Sequence, residues 1–400
     1  MMRSVKMATE ASGDGHVGSE RVFPASAGAA ERIRFLLQWA VLAPSRHNTQ
    51  PWTFEIEGDE LRVYADAARS LPAADPDGRQ LVMSCGAALV NLRLAAAHFG
   101  RATSAEILPG HRRDGLLARV RLEERSASTP EAEELFRAIP RRRTNRLPLD
   151  GREPPEGLVT ALLREARREG VSLRPVEENQ RRVVADLIAE GDGGAWSSSR
   201  FRGEVAGWTR TNRSGRRDGV PGYALGMSDA AALVHPLLVR LQNPARSEAD
   251  RDRRRALRSK ALLVLSTQRD GEAEWLRAGE ALQRVLLRAT ASGLFASYFA
   301  QPIESPALRR RLADAIGDPG APQIMFRLGY GLDPRATPRR QVEDVLRRMD
   351  PVARRPTALA LRTPVPVAGW APAPTSEMPD MPELHVPVPA EVEPQQVSLG

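Results

Sequence analysis

After residue 28 the hydrophobic and polar positions change period several times, and each change predicts an element. From Glu31 to Ala43 the apolar residues Ile33, Leu36, Leu37 and Ala40 fall on one helical face, and Pro44 halts the run. Thr53 to Ile56 and Leu61 to Tyr64 alternate as strands do, with Glu57-Gly58-Asp59-Glu60 between them as a hairpin turn. Asp75-Pro76-Asp77-Gly78 then launches a helix through His98 that is apolar nearly all round, with Leu81, Val82, Met83, Ala87, Leu89, Leu92 and Leu94. Such a helix belongs in the centre of a core. Leu116 to Leu122 reads as a strand and Pro130 to Ile139 as a helix. Further on come a helix from about Pro155 to Arg168, strands at Ala261 to Ser266 and Ile324 to Leu328, and a helix from Glu274 to Ser292.

The last of these resembles the earlier central helix. A shift of 193 superimposes Gly86 on Gly279, Ala88 on Ala281, Leu89 on Leu282, Leu94 on Leu287, Ala96 on Ala289 and Gly100 on Gly293, which suggests an internal duplication. Length agrees: 400 residues exceed what one core usually holds, so two cores or two fused halves are expected. The halves read as residues 29–140 and 141–350, with a polar, Gly- and Arg-rich insertion between Trp196 and Tyr223. This stretch is either a lid or an ordinary surface excursion. Residues 1–28 lack periodicity and read as a disordered arm, and residues 351–400 as a Pro-rich disordered tail without lysine or arginine after Val365.

Composition narrows the classes. The single cysteine, Cys85, precludes an intramolecular disulfide and points to a reducing cytoplasm; inside a core helix it reads as a small apolar residue rather than a redox thiol. No window approaches 18 uncharged apolar residues, and the first thirty lack an apolar signal core, so neither a membrane span nor a secretory signal is expected. The net charge of +8 invites a nucleic-acid reading, but only Lys6 and Lys260 are lysines against 56 arginines, a codon-driven bias that argues against phosphate selection along the whole chain.

Common sites can be struck out: there is no GxxxxGK[ST] loop, no GxGxxG turn after a strand and no HExxH, and the six histidines lack ligand spacing. Two segments remain. In Pro44-Ser45-Arg46-His47-Asn48-Thr49-Gln50-Pro51-Trp52, prolines bracket short hydrogen-bonding groups, which suits the edge of a heteroaromatic ring as well as a plain helix-ending turn. His47 reads equally as a functional residue or as a loop histidine bonded to backbone. In Arg141-Arg142-Arg143-Thr144-Asn145-Arg146, guanidiniums and a hydroxyl could hold a phosphate or could form a solvated basic loop.

APSRHNTQPW with LPAADPDGRQLVMSCGAALVNLRLA behind it, RRTNRLPL, GLFASYFAQPIE, PQIMFRLGYG and TPRRQVEDVL, in this order, resemble the Acg-type branch of the FMN-dependent nitroreductase family. The resemblance implies an α+β fold of two sheet-and-helix halves that match the family's dimer in one chain. It also implies FMN between them, NADPH or NADH as donor, a small-molecule acceptor such as a nitroaromatic or quinone, and chemistry borne by the flavin. By the same resemblance, Arg142, Arg143, Thr144 and Arg146 would hold the phosphate and ribityl chain, and Pro44, Ser45, Arg46 and Asn48 would line the ring. Gln301, Pro302, Ile303, Glu304 and Ser305 would lie near flavin N5, with Ser305 where glycine is frequent, and Arg339 and Arg340 would close on the phosphate. The second half replaces the loop with GVSLRPV, so one site is expected per chain, in a monomer whose dimer interface is internal. A flavin-sequestering protein with a lidded site and little turnover is the rival reading, and a polyphosphate or RNA binder a third.

Overall fold

Two four-stranded antiparallel sheets repeat one strand order. The computed structural model describes residues 22–108 and 115–347. The tail, and residues 1–21 of the N-terminal arm, lie outside the described residues. The first half runs α1 (Ala29–Ala40), β1 (Trp52–Glu57), β2 (Glu60–Ala65), α2 (Arg79–His98), β3 (Arg101–Ile107), β4 (Leu116–Arg125) and α3 (Pro130–Ala138). Its sheet has the order β1-β2-β4-β3.

The second half runs α4 (Leu158–Arg168), β5 (Ser172–Pro175), α5 (Glu178–Ser197), α6 (Ser199–Trp208), β6 (Thr209–Arg210), β7 (Val220–Pro221), α7 (Asp229–Leu241) and α8 (Ala245–Leu257). It continues through β8 (Ala261–Thr267), α9 (Glu272–Ala291), β9 (Phe295–Tyr298), α10 (Gln301–Glu304), α11 (Pro306–Ala315), β10 (Ala321–Gly329) and α12 (Val342–Val345). Its sheet has the order β5-β8-β10-β9. With α4, β5, β8, α9, β9 and β10 set against α1, β1, β2, α2, β3 and β4, the two orders coincide. The architecture is α+β.

The halves differ in two places. Where β1 and β2 join through the tight Gly58-Asp59 turn, with Gly58 in the left-handed region at φ 62°, the second half inserts everything from α5 to α8 between β5 and β8. Where residues 41–51 link α1 to β1, only residues 169–171 link α4 to β5.

The helices meet at α2 and α9. A methyl on Gly86 would collide with the carbonyl oxygen of Leu276, and one on Gly279 with that of Met83. The shift of 193 relates Gly86 to Gly279 and also Met83 to Leu276, so the contact is made twice, by equivalent positions. One continuous core spans both halves, from Trp52, Phe54 and Leu89 to Trp275, Leu287 and Phe326. A second apolar cluster lies under α5, α8 and α11. Helix α2 is long and apolar enough to cross a membrane by length and composition, and 83% of that window is buried inside the protein. Cys85 is wholly buried there, burial pushes its thiol far up, and its Sγ contacts the Pro51 carbonyl.

Periodicity located both hairpin strands, α2, α3, α4, α9, β4, β8 and β10. It did not show β3, β5 or β9. Strand β3 has the sequence RATSAEI, its middle is exposed, and it exists because it pairs with β4 through contacts such as Ser104 with Arg121. At the N-terminus Phe23 stacks on Phe99 and meets the edge of Phe35. Because the crossing brings backbone to backbone, Gly86→Ala or Gly279→Ala must separate α2 from α9, and each should cost about 2 to 4 kcal/mol in chemical denaturation. A loss below about 0.5 kcal/mol would show that the helices yield freely.

Candidate functional site

The loop after α1 is built under strain. His47, Asn48 and Gln50 all sit in the left-handed region, at φ 48°, 55° and 52°, a conformation that non-glycine residues adopt at a cost and keep only where neighbours enforce it. The neighbours are identifiable. Ser45 Oγ accepts from the Gln50 amide at 2.8 Å. Gln50 is fully buried; its Nε2 donates to the Arg217 carbonyl at 2.7 Å and its Oε1 accepts from the Arg340 amide at 2.7 Å. Asn48 Nδ2 donates to the carbonyls of Gly219 and Pro338, both at 3.0 Å, while its Oδ1 accepts from Arg339 Nη1 at 3.0 Å. His47 is held neutral, its pKa lowered to about 3 by burial and then by Arg46 and Arg146.

The arginine opening follows α3 and is pinned to β9. Thr144 bridges Ala296, and the Asn145 amide donates to the Ala296 carbonyl at 2.9 Å. Asn145 also donates from Nδ2 to the Leu332 carbonyl at 3.0 Å. This fixes Arg142, Arg143 and Arg146 beside the loop. Arg142 is 3% exposed, and burial, opposed by Tyr298 and assisted by the charges of Arg143 and Arg146, brings its pKa down to about 10. Burial also lowers Arg146 and Arg143. Arg339, from the segment between β10 and α12, is lowered well below the usual value by burial and by the three other arginines. Among the described residues none of Arg142, Arg143, Arg146, Arg335 or Arg339 forms an ion pair, and the buried Nε atoms of Arg142 and Arg339 have no partner.

The two segments line one cleft. Pro44, Ser45 and Asn48 face Arg142, Arg143, Thr144 and Arg146 across it, and Arg335, Thr337 and Arg339 form its third wall. It encloses about 350 Å³ including its open mouth, but the side chains fill it so closely that little more than a water fits inside. A buried Arg142 and half-buried Arg143, Arg146 and Arg339, none in an ion pair, suit an anion, because the charge that burial disfavours would be compensated by a phosphate.

Other candidates lie outside that cleft. Arg46 pairs with Glu304 at 2.9 Å, and Glu304 also pairs with Arg79 at 2.9 Å and contacts Gln80 Nε2. Asp75, the cap at the start of α2, is pushed up to about 6 by burial and by Glu304. Thus Arg46 and Glu304 tie the loop to α10. Gln301, Pro302 and Ile303 form α10, whose backbone touches α5 at Gly191, where a methyl would sit 2.8 Å from the Pro302 nitrogen. Ser305 has extended backbone at φ −90° and caps α11, its Oγ accepting from the Leu308 amide, so this position does not require glycine. Arg340 turns away, its Nη1 donating to the Gln50 carbonyl at 3.2 Å and lying 3.9 Å from Asp66.

Sequence reading missed five contributors, of which Thr337 lines the third wall. Gln50 and Asn145 sit inside the quoted motifs, and their amides hold the walls together. Arg335 lies with its guanidinium 4.5 Å over the Tyr223 ring. Tyr298 places its buried phenol oxygen beside Thr144, Arg142 and Arg146. Tyr298 lies inside GLFASYFAQPIE, but nothing in a single Tyr or Arg marks its role in advance. Residues 209–223 run past the loop, and Asp218 is gripped by Arg69 at 3.1 Å, Arg210 at 3.0 Å and Arg216 at 3.1 Å.

No protein-family model matches the chain. Two relatives from Mycobacterium tuberculosis (strain ATCC 25618 / H37Rv) align with most of it. "Putative NAD(P)H nitroreductase Rv3131" is 32% identical over 324 residues, covering 79% of this chain and 91% of that one. "Putative NAD(P)H nitroreductase acg" is 31% identical over 322 residues, covering 78% and 94%. Among solved structures, the FMN-dependent nitroreductase NfnB from Mycobacterium smegmatis in complex with NADPH aligns with 55% of this chain and 99% of its own, at 16% identity and a TM-score of 0.35. The FMN and NADPH-dependent nitroreductase NfnB from a Sphigopyxis strain does so over 54% and 99%, at 17% and 0.36. Identity above 30% along nine-tenths of the Mycobacterium tuberculosis relatives places the chain in the Acg-type branch of the nitroreductase family, a family of oxidoreductases.

Proposed function

We propose that the cleft is a composite FMN site and that the protein catalyses NAD(P)H-dependent two-electron reduction of a small nitroaromatic or quinone-type acceptor. The observation that carries this reading is the group of arginines that form no ion pair among the described residues, Asp333 acting on Arg143 only from beyond ion-pair distance, set against the strained loop. FMN, when bound, supplies the redox chemistry. Arg142, Arg143 and Arg146 would grip its phosphate with Thr144, and Arg339 would close on it from the third wall. Ser45, whose Oγ already accepts from Gln50, keeps a hydroxyl proton to donate toward the ring. Asn48 spends both ends of its amide on protein partners, so it holds Arg339 in place and lines the ring only by contact. Surplus positive charge facing the cleft would favour an anionic reduced ring.

On this reading residues 29–140 and 141–350 stand for the two subunits of a dimeric relative. The loop comes from one and the arginines reach the other through β9, so no second chain is needed to complete the site. The rival reading, a protein that holds flavin with little turnover, draws support from the excursion near residues 196–223. Its carbonyls at Arg217 and Gly219 accept from Gln50 and Asn48, and the cleft beneath is narrow. Anaerobic mixing of the flavin-loaded protein with NADPH or NADH separates the two: bleaching of the yellow colour supports the enzyme, and its persistence supports the holder.

Denaturing the loaded protein and chromatographing the released flavin should yield one FMN per chain; FAD, or two FMN, would overturn the composite site. Replacing Arg142 and Arg143 by Ala removes two charge-assisted contacts and should weaken FMN binding by about 2 to 4 kcal/mol, roughly thirtyfold to a thousandfold in Kd by fluorescence titration. Unchanged affinity would place the phosphate elsewhere. Arg142 also predicts an opposite effect on the flavin-free protein. Its folded pKa is about 10, below the usual value, so its charge opposes folding fully at neutral pH and is relieved only as pH rises past about 10. Arg142→Met should therefore raise flavin-free stability by about 1 to 3 kcal/mol in urea at pH 7 while losing the stabilisation that added phosphate gives the wild type. A variant less stable than wild type would show that this charge is already compensated.

A further inference from the structure

Helix α7 turns its apolar side outward. Ala232 and Val239 are its buried residues, whereas Leu233, Val234, Leu237, Leu238 and Leu241 are between 42% and 73% exposed. At 100° per residue these five form one continuous face opposite the buried pair. The charged residues of the helix, Asp229 in its first turn and Arg240 in its last, fall outside that face. Single exposed leucines are ordinary, but five on one face of one helix form a patch that water solvates poorly. The other exposed large apolar residues among those described, Val22, Val183 and Leu332, are scattered.

We infer that this face is a contact between two copies of the chain, with the two α7 helices packed antiparallel about a two-fold axis. Leu233, Leu237 and Leu241 recur at a spacing of four and read the same in both directions, so a two-fold rotation sets leucine against leucine. Antiparallel packing brings the Asp229 end of one helix to the Arg240 end of the other and opposes the two macrodipoles. A helix seated on anionic lipid would instead border its apolar face with several basic residues, and α7 has one. A single helix face offers less than the roughly 800 Å² per partner of a stable interface, so the pair forms and separates with concentration. The contact uses no residue of the cleft and stands or falls apart from the flavin reading.

Sedimentation of the full chain from about 1 to about 200 µM should show a monomer–dimer equilibrium, and Leu237→Glu should weaken it at least about tenfold. The circular dichroism of that variant should match wild type, because the side chain is exposed. Cys85, the chain's one cysteine, is buried, so Leu237→Cys adds the one exposed thiol. Mild oxidation should link two chains, and adding Leu233→Glu should abolish the link. A wild type that stays monomeric throughout, or a Leu237→Glu variant that pairs as tightly, overturns the inference. So does binding of wild type, but not of Leu237→Glu, to anionic phosphatidylserine vesicles in place of self-association. Hydrogen-exchange protection of α7 in a monomer that is lost on deleting residues 348–400 would give the face to the tail and likewise overturn it.

Discussion

Gly86 and Gly279 let the backbones of α2 and α9 touch, and the spacing of the whole cleft descends from that contact. Two helices that cross at backbone distance cannot slide or separate without losing the core around them, since interiors are packed as densely as organic solids. Polar staples fix the register of the crossing. Gln283 Nε2 donates to Asn91 Oδ1 at 2.6 Å, and Asn91 Nδ2 donates to the Trp39 carbonyl at 2.9 Å, which ties α9 through α2 to α1. Buried amides without those partners would cost more than a lost contact, so alternative registers are excluded. The loop that follows α1 and the arginines that join β9 are therefore delivered to the same place.

Once there, they are unfavourable for the fold. Three left-handed residues and several uncompensated guanidiniums each oppose folding, and such terms persist only when surrounding structure over-determines them. Here Asn48 and Gln50 do so. Between them they bind the excursion at Gly219 and Arg217 and the later segment at Pro338 and Arg340, so one strained loop holds two stretches far apart in the chain. A bound anion would relieve the electrostatic part of this cost, which links the flavin-free stability of the protein to the affinity of its site.

The two sheet-and-helix halves match in their core and differ in their loops. Both sheets keep one strand order and both central helices keep one glycine, because the crossing needs each. The loops carry no such obligation. The link from α4 to β5 is too short to form a second loop of this kind, and the excursion from α5 to α8 stands where the first half has only a tight turn. That excursion then folds over the first half, where the Glu204 carboxylate accepts from the Ala73 and Ala74 amides at 2.9 Å each.

Hydrophobic periodicity by itself determined the buried helices and central strands, since a segment that must hide one face, or all of its faces, writes that demand into local spacing. A shift of 193 also paired Gly86 with Gly279, the two glycines at which α2 and α9 touch, and the resemblance of short motifs pointed to the loop and the arginine opening. Tertiary structure alone decided the edge strands β3, β5 and β9, whose residues are strand only because a neighbour offers a ladder. It also decided which motif residues enter the cleft. Arg46 and Arg340 leave it because Glu304 and Gln50 reach them first, while Arg335 joins it from outside every quoted motif, and Thr337 lines it and Tyr298 stands beside Arg142 from within motifs that gave them no role. The reason is physical: a charged side chain goes to whichever partner the fold brings within a few ångströms, and that distance belongs to the packing of the whole chain, not to spacing along it.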